Sequence, residues 1–322
     1  MTVAIVGATG LVGEALLGVL TEREFPISEL FALGRDGVDD ETVLFADRPK
    51  HLKPLGEFDF SRCRFAFFCV PPAVAAIHAR RAAASGCTVI DVSGQFRLDA
   101  TVPLIAADAN AQTLDGSAAT LIAGPSAEVV QLAAVLSPIQ AAVGLRRVHV
   151  TTMLAVSDRG RAGIGELAGQ TARLLNVQKI EAKIFPAQIA FNAMQQRDGP
   201  DIEGELRKVL SDAGLVVEFN GFYVPVFYGH SQSLRIETER PITVEQARKL
   251  LRAAKGVKLR DKADTLTPVG DSVGGDDVLV GEIRPLADAS NGLLLWTLAD
   301  NVRKSAAVNS VQIAESLLKL HL

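Results

Sequence analysis

The sequence predicts an α/β fold: a doubly wound parallel sheet in the N-terminal part, followed by an α+β domain. Over roughly the first 145 residues, short apolar stretches alternate with helical stretches, as strands and crossover helices do around a parallel sheet. Beyond that point strand-like and helical segments no longer alternate one by one. The change favours a mixed or antiparallel sheet in the second part.

The first part begins with a strand at Thr2 to Val6 and a helix at Leu11 to Glu22, whose apolar side chains recur at helical spacing. Proline and glycine residues separate the elements that follow. The further strands predicted here are Leu30 to Leu33, Phe65 to Val70, Cys87 to Val92 and Leu121 to Ala123. The further helices are Ala73 to Ala84, rich in alanine, and one that starts near Ser126.

The second part alternates less regularly. The strands predicted there are Arg147 to Val156, Leu215 to Phe219, Val224 to Tyr228, Ser231 to Glu237, Asp277 to Arg284 and Gly292 to Ala299. The helices are Gly163 to Leu175, Ile202 to Ala213 and Thr243 to Ala254. A long amphipathic helix, Val302 to Leu320, follows the cap signal Asp300-Asn301.

Composition excludes several classes of partner. The net charge is −4 with no basic cluster, so we do not expect nucleic-acid binding. No apolar run reaches the roughly 18 residues of a membrane helix, and the N-terminus does not resemble a signal peptide. Three cysteines, Cys63, Cys69 and Cys87, lack metal-ligand spacing. We therefore expect a cytoplasmic protein without a metal, with its cysteines buried as small apolar side chains.

A glycine-rich turn connects the first predicted strand to the first helix. It reads Gly7-Ala-Thr-Gly10-Leu-Val-Gly13, and glycines there permit close approach of a pyrophosphate to the free N–H groups of a helix. The predicted cofactor-binding residues of this Rossmann-like site are Gly7, Thr9, Gly10, Leu11, Val12 and Gly13.

The end of the second strand bears on the choice between NADP and NAD. Arg35 would pair with a 2′-phosphate, whereas Asp36 would accept from a 2′-hydroxyl and repel the phosphate. The two residues favour opposite cofactors, so the sequence leaves both open.

Several motifs together resemble one family, the aspartate-semialdehyde dehydrogenases. They are VAIVGATGLVGE near the start, TVIDVSGQFRLD, FPAQIAFN, PVFYGHSQS, and NGLLLW followed by DNVRKSAAVNSVQIAE near the end. The resemblance implies a homodimer with two domains. Residues 1–126, completed by 301–322, would bind the dinucleotide, and residues 127–300 would form the catalytic and dimerisation domain.

The resemblance also implies a reaction that this chain lacks the nucleophile to perform. Family enzymes interconvert aspartyl phosphate and the semialdehyde through a thioester on a cysteine, with a histidine as acid/base. The cysteine motif, similar to Asn-Pro-Asn-Cys-Ser-Thr, aligns with Gly124-Pro-Ser-Ala-Glu-Val129, so Ala127 occupies the cysteine position. Alanine offers no lone pair for attack, and Glu128 adds a negative charge beside it.

The other positions divide into retained and replaced. His230 matches the acid/base histidine, Arg97 the phosphate-binding arginine and Asn301 an asparagine near the nicotinamide. Tyr223 replaces the arginine that binds the substrate carboxylate, which removes a bidentate ligand. Further replacements that the resemblance identifies are Leu154, Asp158-Arg159, Asp201, Val92 and Pro71-Pro72.

Three hypotheses follow from this pattern. The leading one is a dimeric relative that keeps a site for NADP or NAD, has a regulatory or small-molecule-binding role and does not form the thioester. The second is an oxidoreductase that transfers hydride directly to another aldehyde or oxo substrate with His230 as acid/base. The third is a structural partner in mixed dimers with an active relative.

Overall fold

A computed structural model describes residues 1–35, 37, 41–260, 265–287 and 291–319. Asp36, one of the two residues considered for cofactor choice, lies outside this described set. The chain divides into two compact units. The first comprises Met1–Ser126 and Ala306–Leu322, and the second comprises Ala127–Ser305.

The first unit is built on a seven-stranded sheet in the order β3-β4-β2-β1-β5-β6-β7. All its pairs are parallel except β3 with β4, which confirms the doubly wound sheet. Its strands are β1 (Thr2–Val6), β2 (Glu29–Gly34), β3 (Thr42–Phe45), β4 (Arg48–Pro54), β5 (Phe65–Phe68), β6 (Thr88–Asp91) and β7 (Leu121–Ala123).

Strands β3 and β4 are not among the predicted elements. Strand β3 is only four residues long, and β4 has little apolar sequence. Strand β4 reads RPKHLKP, and Leu52 is its one buried residue. Strand β3 lies at the edge of the sheet and β4 lies between β3 and β2. Near a sheet edge, charged side chains and proline are tolerated and suppress pairing with other chains. A strand with the composition of β4 has no alternating apolar pattern from which it could be predicted.

Three helices of this unit precede the second unit: α1 (Leu11–Glu22), α2 (Pro72–Ala84) and α3 (Ala107–Asn110). Helix α1 has the predicted bounds and buries Leu16, Leu17 and Leu20 in the main apolar core of the unit. The core also contains side chains of the central strands, such as Ile5 and Phe67. Burial of this apolar surface is the main stabilising term for the sheet that carries the glycine turn.

The second unit contains a mixed seven-stranded sheet in the order β12-β13-β14-β11-β8-β10-β9, as predicted. Strands β8 and β10 are parallel, as are β12 and β13, and the other pairs are antiparallel. Its elements are α4 (Ala127–Val143), β8 (Leu145–Leu154), α5 (Gly160–Leu175), β9 (Met194–Gln195), α6 (Ile202–Leu210), β10 (Val216–Tyr223), β11 (His230–Thr238), α7 (Val244–Ala253), β12 (Val257–Leu259), β13 (Val278–Pro285) and β14 (Gly292–Ala299).

The predicted strand from Val224 to Tyr228 is wrong. Pro225 has no N–H to donate to a ladder, and Gly229 turns the chain with φ of +91°. Backbone N–H groups of the turn after β8 hold the segment instead, donating to the carbonyls of Val226 and Phe227 at 2.9 and 3.1 Å. The segment is a loop that leads directly into His230.

The C-terminal helix is shorter and less regular than predicted. Residues Arg303–Val308 form π-helical turns, and α8 spans Asn309–Lys319. The first unit resumes at Ala306 rather than at residue 301. Arg303 Nε donates to Asp276 at 2.7 Å and Asp300 accepts from the N–H of Gly274 at 2.8 Å, so residues 300–305 stay attached to the second unit.

Within the described part of the chain, no helix is both long and apolar enough to cross a membrane.

Candidate functional site

The glycine turn of the first unit requires glycine at two positions. Gly7 follows β1 with φ of +85°, and a Cβ there would overlap the carbonyl oxygen of Cys69. A Cβ on Gly13, in the first turn of α1, would overlap the carbonyl oxygen of Gly7. The N–H of Gly10 donates back to that oxygen at 3.1 Å. The turn therefore brings bare backbone to the start of α1, where Leu11 and Val12 supply free N–H groups.

A cavity of about 480 Å³ opens beside this turn within the first unit. Its walls include the predicted residues Gly7, Thr9 and Arg35 and the replaced position Pro71. The Arg35 side chain is 85 % exposed, and its guanidinium lies 4.0 Å from the carboxylate of Glu41. Such a weak surface ion pair leaves the guanidinium available to a phosphate. The cavity lies at the carboxyl ends of β1 and β2, where doubly wound sheets bind dinucleotides.

Arg97 of the first unit is anchored to backbone. Its Nε donates to the carbonyl of Gly124 at 3.2 Å, and its charge lowers the pKa of Asp91. Burial dominates at that carboxyl and raises its pKa to about 6, against the hydrogen bonds that Ser93 donates. Asp99, the other acid considered as a partner, accepts from Arg80 at 2.6 Å. The predicted role of Arg97 in binding phosphate remains a prediction.

The turn that would hold the nucleophile opens the second unit. Helix α4 starts at Ala127, directly after the Gly124-Pro-Ser turn that follows β7. Glu128 lies in the first helical turn with 2 % of its surface exposed. The side chain of Gln232 in β11 donates to the Glu128 carbonyl at 3.1 Å, and Gln131 donates to Thr297 in β14 at 2.8 Å. These bonds fix the helix start against the sheet.

His230 is the first residue of β11 and is fully buried. Its Nδ1 accepts the N–H of Ala155, just after β8, at 3.2 Å. Burial lowers the pKa of His230 to about 4, although the carboxylates of Asp158 and Asp300 oppose the shift. The ring is therefore neutral at pH 7, and because Nδ1 accepts, Nε2 carries the proton. Nε2 has no hydrogen-bond partner among the described residues.

Asn301 holds the loop that precedes the histidine. Its side-chain oxygen accepts the N–H of Gly229 at 3.0 Å, and its amide group pairs with the Ser157 hydroxyl at 3.0 Å. Asn301 is buried and belongs to the second unit. The side chain is thus engaged in positioning His230, and its predicted contact with a cofactor remains a prediction.

Glu128, Asp158 and His230 bring their donor atoms within 4.8 Å of one another. Two carboxylates and an imidazole are a common set of metal ligands. A metal on Nε2, however, requires the ring proton on Nδ1, and Nδ1 faces the N–H of Ala155. The arrangement therefore fits a protonated Nε2 facing carboxylates better than it fits a metal centre.

Tyr223, at the position where the family resemblance implies an arginine, is the centre of a polar network. Its hydroxyl donates to Asp158 at 2.9 Å and accepts from Arg159 Nε at 2.8 Å. Burial and the Asp158 carboxylate raise the pKa of Tyr223, so the phenol stays neutral. Arg159 Nη2 also donates to Asp198 at 2.9 Å. The sequence alone does not suggest this network, because it depends on the parallel register that pairs Tyr223 with Leu154.

All three cysteines lie in the first unit, so residues 127–305 contain none. Cys63 and Cys87 are buried as predicted, and Cys69 is half-buried. Burial raises the pKa of Cys63 to about 11 and those of Cys69 and Cys87 to about 12. A catalytic thiol needs the opposite shift, so burial disfavours the thiolate form of all three cysteines at neutral pH.

Comparison with known families assigns both parts of the chain. Residues 2–117 match the semialdehyde dehydrogenase NAD binding domain, and residues 136–304 match the semialdehyde dehydrogenase dimerisation domain. The first match contains the glycine turn and Arg35. The second contains His230, Asp158 and Tyr223. The chain therefore has the NAD(P)-binding domain and the dimerisation domain of that family.

Individual relatives cover nearly the whole chain. "Aspartate-semialdehyde dehydrogenase 2" of Vibrio cholerae is 41 % identical, over 98 % of this chain and 97 % of its own. The "USG-1 protein homolog" of Pseudomonas aeruginosa is 37 % identical, over 100 % and 99 %. The crystal structure of aspartate semialdehyde dehydrogenase II from Vibrio cholerae complexed with ASA superposes with a TM-score of 0.94, at 40 % identity over 99 % and 98 %. By domain content, sequence and fold, this chain belongs to the aspartate-semialdehyde dehydrogenase family.

Proposed function

We propose that this chain binds a dinucleotide, forms a homodimer and does not carry out the phosphorylating dehydrogenation of an aldehyde. The observation that carries the proposal is Ala127 as the first residue of α4, directly before the buried Glu128. A thioester needs sulfur at this helix terminus, where the helix dipole lowers a thiol pKa. The methyl group of Ala127 can neither attack a carbonyl nor carry an acyl group.

No other thiol replaces the missing one. The second unit has no cysteine, and burial holds the three cysteines of the first unit in the thiol form. Ser126 precedes Ala127, but a serine needs a base in contact to become a nucleophile. His230 does not provide such a base. Its pKa of about 4 keeps the ring neutral, its Nδ1 already accepts the N–H of Ala155, and its Nε2 therefore carries the proton and acts as a donor.

Support for dinucleotide binding comes from the first unit alone. The glycine turn meets steric requirements that other residues violate, and a cavity beside it has room for part of a nucleotide. Arg35 is placed on the wall of that cavity. The cofactor is NADP or NAD, and the dimerisation domain supports assembly with a second copy of the chain.

The role that remains for such a protein is binding or regulation. The second unit retains a buried polar centre around His230 and a polar network around Tyr223. Neither contains a nucleophile, but both contain hydrogen-bond donors. These groups can bind a small molecule through hydrogen bonds, but they cannot form a covalent bond to a substrate.

Calorimetric titration with NADPH and with NADH tests the proposal. We expect at least one of them to bind with a stoichiometry near one per chain. Absence of heat with both, confirmed by an unchanged melting temperature, would contradict the proposal and favour a structural partner in mixed dimers.

One observation favours a second candidate function, direct hydride transfer to another aldehyde or oxo substrate. Nε2 of His230 carries a proton and has no partner among the described residues, so it can donate to a carbonyl oxygen, which increases the electrophilicity of the carbonyl carbon. Turnover of NADPH with a panel of aldehydes, lost in His230→Ala, would support this reading. Turnover that persists in the variant would exclude His230 as the acting group.

A further inference from the structure

A second cavity, within the second unit, has no role in the function proposed so far. It measures about 600 Å³, which lies in the range of small-molecule sites. We call it the Arg159 pocket. Its lining includes Arg159, Lys183, Ile184, Phe185, Arg197 and Tyr223.

The Arg159 guanidinium is held rigidly on one wall of the Arg159 pocket. Nε donates to the Tyr223 hydroxyl at 2.8 Å, and Nη2 donates to the Asp198 carboxylate at 2.9 Å. The guanidinium carbon also lies 5.2 Å from the centre of the Tyr223 ring. A planar group fixed on two sides has already lost the rotamer freedom that ligand binding would cost. Within the described chain, its Nη1 forms no hydrogen bond.

The tyrosine that holds Arg159 is itself fixed. Tyr223 is 2 % exposed, packs edge-on against Phe185 with ring centres 5.1 Å apart, and donates its hydroxyl to Asp158 at 2.9 Å. The hydroxyl therefore has both a donor and an acceptor partner. The wall of the pocket is preorganised rather than assembled by the ligand.

The charges that line the pocket favour an anion. Three of the lining side chains are cationic and one, Asp198, is anionic. Asp198 and, at 4.0 Å, Asp158 offset the charge of Arg159, and Glu181 offsets that of Lys183 at 2.8 Å. Arg197 forms no ion pair with any residue that the structure describes, so its positive charge is not offset.

The remaining wall is apolar and restricts the ligand further. The apolar part of the lining consists of Ile184, Phe185, Pro186 and Met194. The N–H groups of Arg159 Nη1 and of the Arg197 guanidinium can each donate to a carboxylate oxygen, and an apolar wall matches a short carbon chain. Inorganic phosphate satisfies the first requirement but not the second.

We propose that the Arg159 pocket binds a small organic carboxylate, with Arg159 Nη1 and the Arg197 guanidinium as its ligands and the Ile184–Pro186 wall against its carbon chain. The proposal rests on the proposed function, in which this unit binds a small molecule instead of forming a thioester. It requires no dinucleotide and no chemical step.

Titration of the full-length chain with sodium butyrate, phenylacetate and succinate, followed by calorimetry and by melting temperature, tests the proposal. The methyl ester of phenylacetate is the uncharged control, and inorganic phosphate is the control without a carbon chain. We expect at least one carboxylate to bind with a stoichiometry near one per chain, and neither control to bind. Absence of binding by all three carboxylates at about 10 mM, the weakest affinity that calorimetry resolves, would overturn the proposal. So would binding of phosphate alone.

Two variants locate the site. Arg197→Gln removes an exposed side chain and should weaken carboxylate binding about tenfold, the value of one charge-assisted hydrogen bond. Arg147→Gln removes the same charge from the exposed face of β8, where Arg147 lies 3.7 Å from Glu218, and should leave binding unchanged. Equal losses in the two variants would show that general charge attraction, not the Arg159 pocket, causes the binding.

The same preparation separates this inference from the proposed function. NADPH and NADH titrations report on the glycine turn and do not involve Arg197. Carboxylate binding without dinucleotide binding would overturn the proposed function and uphold the pocket. Dinucleotide binding without carboxylate binding would do the reverse.

Discussion

The glycine turn of the first unit and the helix start of the second differ in what their residues can still do. Both are junctions at which a strand of the parallel sheet leads into the N-terminus of a helix. At the first, Gly7 and Gly13 keep the backbone bare where any side chain would collide with a carbonyl oxygen. At the second, the family resemblance implies a cysteine, whereas this chain has Ala127 at the start of α4, followed by the buried Glu128. In the function proposed above, the turn that binds a dinucleotide is kept and the group that would form a thioester is not.

The same contrast explains why overall similarity does not decide the activity. One relative at 41 % identity is called an aspartate-semialdehyde dehydrogenase and another at 37 % a USG-1 protein homolog. Both cover nearly the whole chain. Identity summed over some 300 residues reports the fold, whereas a thioester depends on one sulfur atom.

The largest expected effect comes from a substitution in the glycine turn of the first unit. Gly7→Val forces a β-branched side chain into a left-handed conformation and against Cys69, so dinucleotide affinity should fall by about a hundredfold or more. Calorimetry with the cofactor that binds the unmodified chain measures this. Gly86→Ala is the matched control, since Gly86 has φ of +89° but open space around its Cα. Equal losses in both variants would mean that backbone strain alone, and not the glycine turn, is responsible.

The second prediction contrasts a buried titratable group of each unit. The folded pKa of His230, about 4, lies below its ordinary 6.5, so the unfolded chain binds the proton more tightly and stability falls as pH drops from 6.5 towards 4. The loss should approach about 3 kcal/mol. The folded pKa of Asp91, about 6, lies above its ordinary 3.8. Its contribution therefore has the opposite sign, and stability falls by a similar amount as pH rises from 3.8 to 6.

Urea unfolding of His230→Gln and Asp91→Asn between pH 4 and 7 checks both signs. Relative to the unmodified chain, the first variant should lose less stability on acidification, and the second should lose less on going towards neutral pH. Parallel pH curves for all three proteins would contradict the buried state of both groups.

A smaller effect concerns cofactor choice at the intact site. Arg35 lines the cavity beside the glycine turn and has only a weak partner in Glu41. Arg35→Ala should lower NADPH affinity about tenfold, through loss of a charge-assisted contact with the 2′-phosphate, and leave NADH affinity nearly unchanged. Arg62→Ala, which removes another exposed arginine of the same unit, serves as the control. A matching loss for NADH would place Arg35 away from the 2′ position.

The smallest expected effect sharpens the account of the second unit. Tyr223→Phe removes one hydroxyl that bridges Asp158 and Arg159, so the free energy of unfolding should fall by about 1–2 kcal/mol. Tyr228→Phe changes the chain's other tyrosine in the loop before His230 and should cost less. Unfolding in urea gives both values. If Tyr223→Phe is neutral, the network does not hold the wall of the Arg159 pocket.

The sequence predicts this fold well where local pattern and tertiary role agree. Helix α1 and strand β14 have their predicted bounds because their apolar periodicity faces a core. Strand β4 has no such pattern. The loop that starts at Val224 has strand-like composition, but Pro225 has no N–H to donate to a neighbouring strand. Composition alone does not distinguish a strand from a loop here, because the available hydrogen-bond partners determine which of the two forms.

The candidate sites divide in the same way. The glycine turn can be predicted from the sequence because its steric requirements are local. The significance of Ala127 can be predicted because the thioester reaction depends on a single position. The bonds among Tyr223, Asp158 and Arg159 join residues more than 60 positions apart through the pairing of β10 with β8. No local pattern encodes them. The tautomer of His230 likewise depends on the N–H of Ala155, which follows the neighbouring strand β8.

The most direct test of the central claim is phosphate-dependent formation of NADPH from aspartate semialdehyde and NADP, measured beside the aspartate-semialdehyde dehydrogenase 2 of Vibrio cholerae. The account predicts no rate above the enzyme-free background for this chain, in a preparation shown by calorimetry to be folded and to bind a dinucleotide. A rate within about tenfold of the Vibrio cholerae protein, a barrier difference of about 1.4 kcal/mol, would contradict it, because Ala127 would then not stand at the position that carries the chemistry.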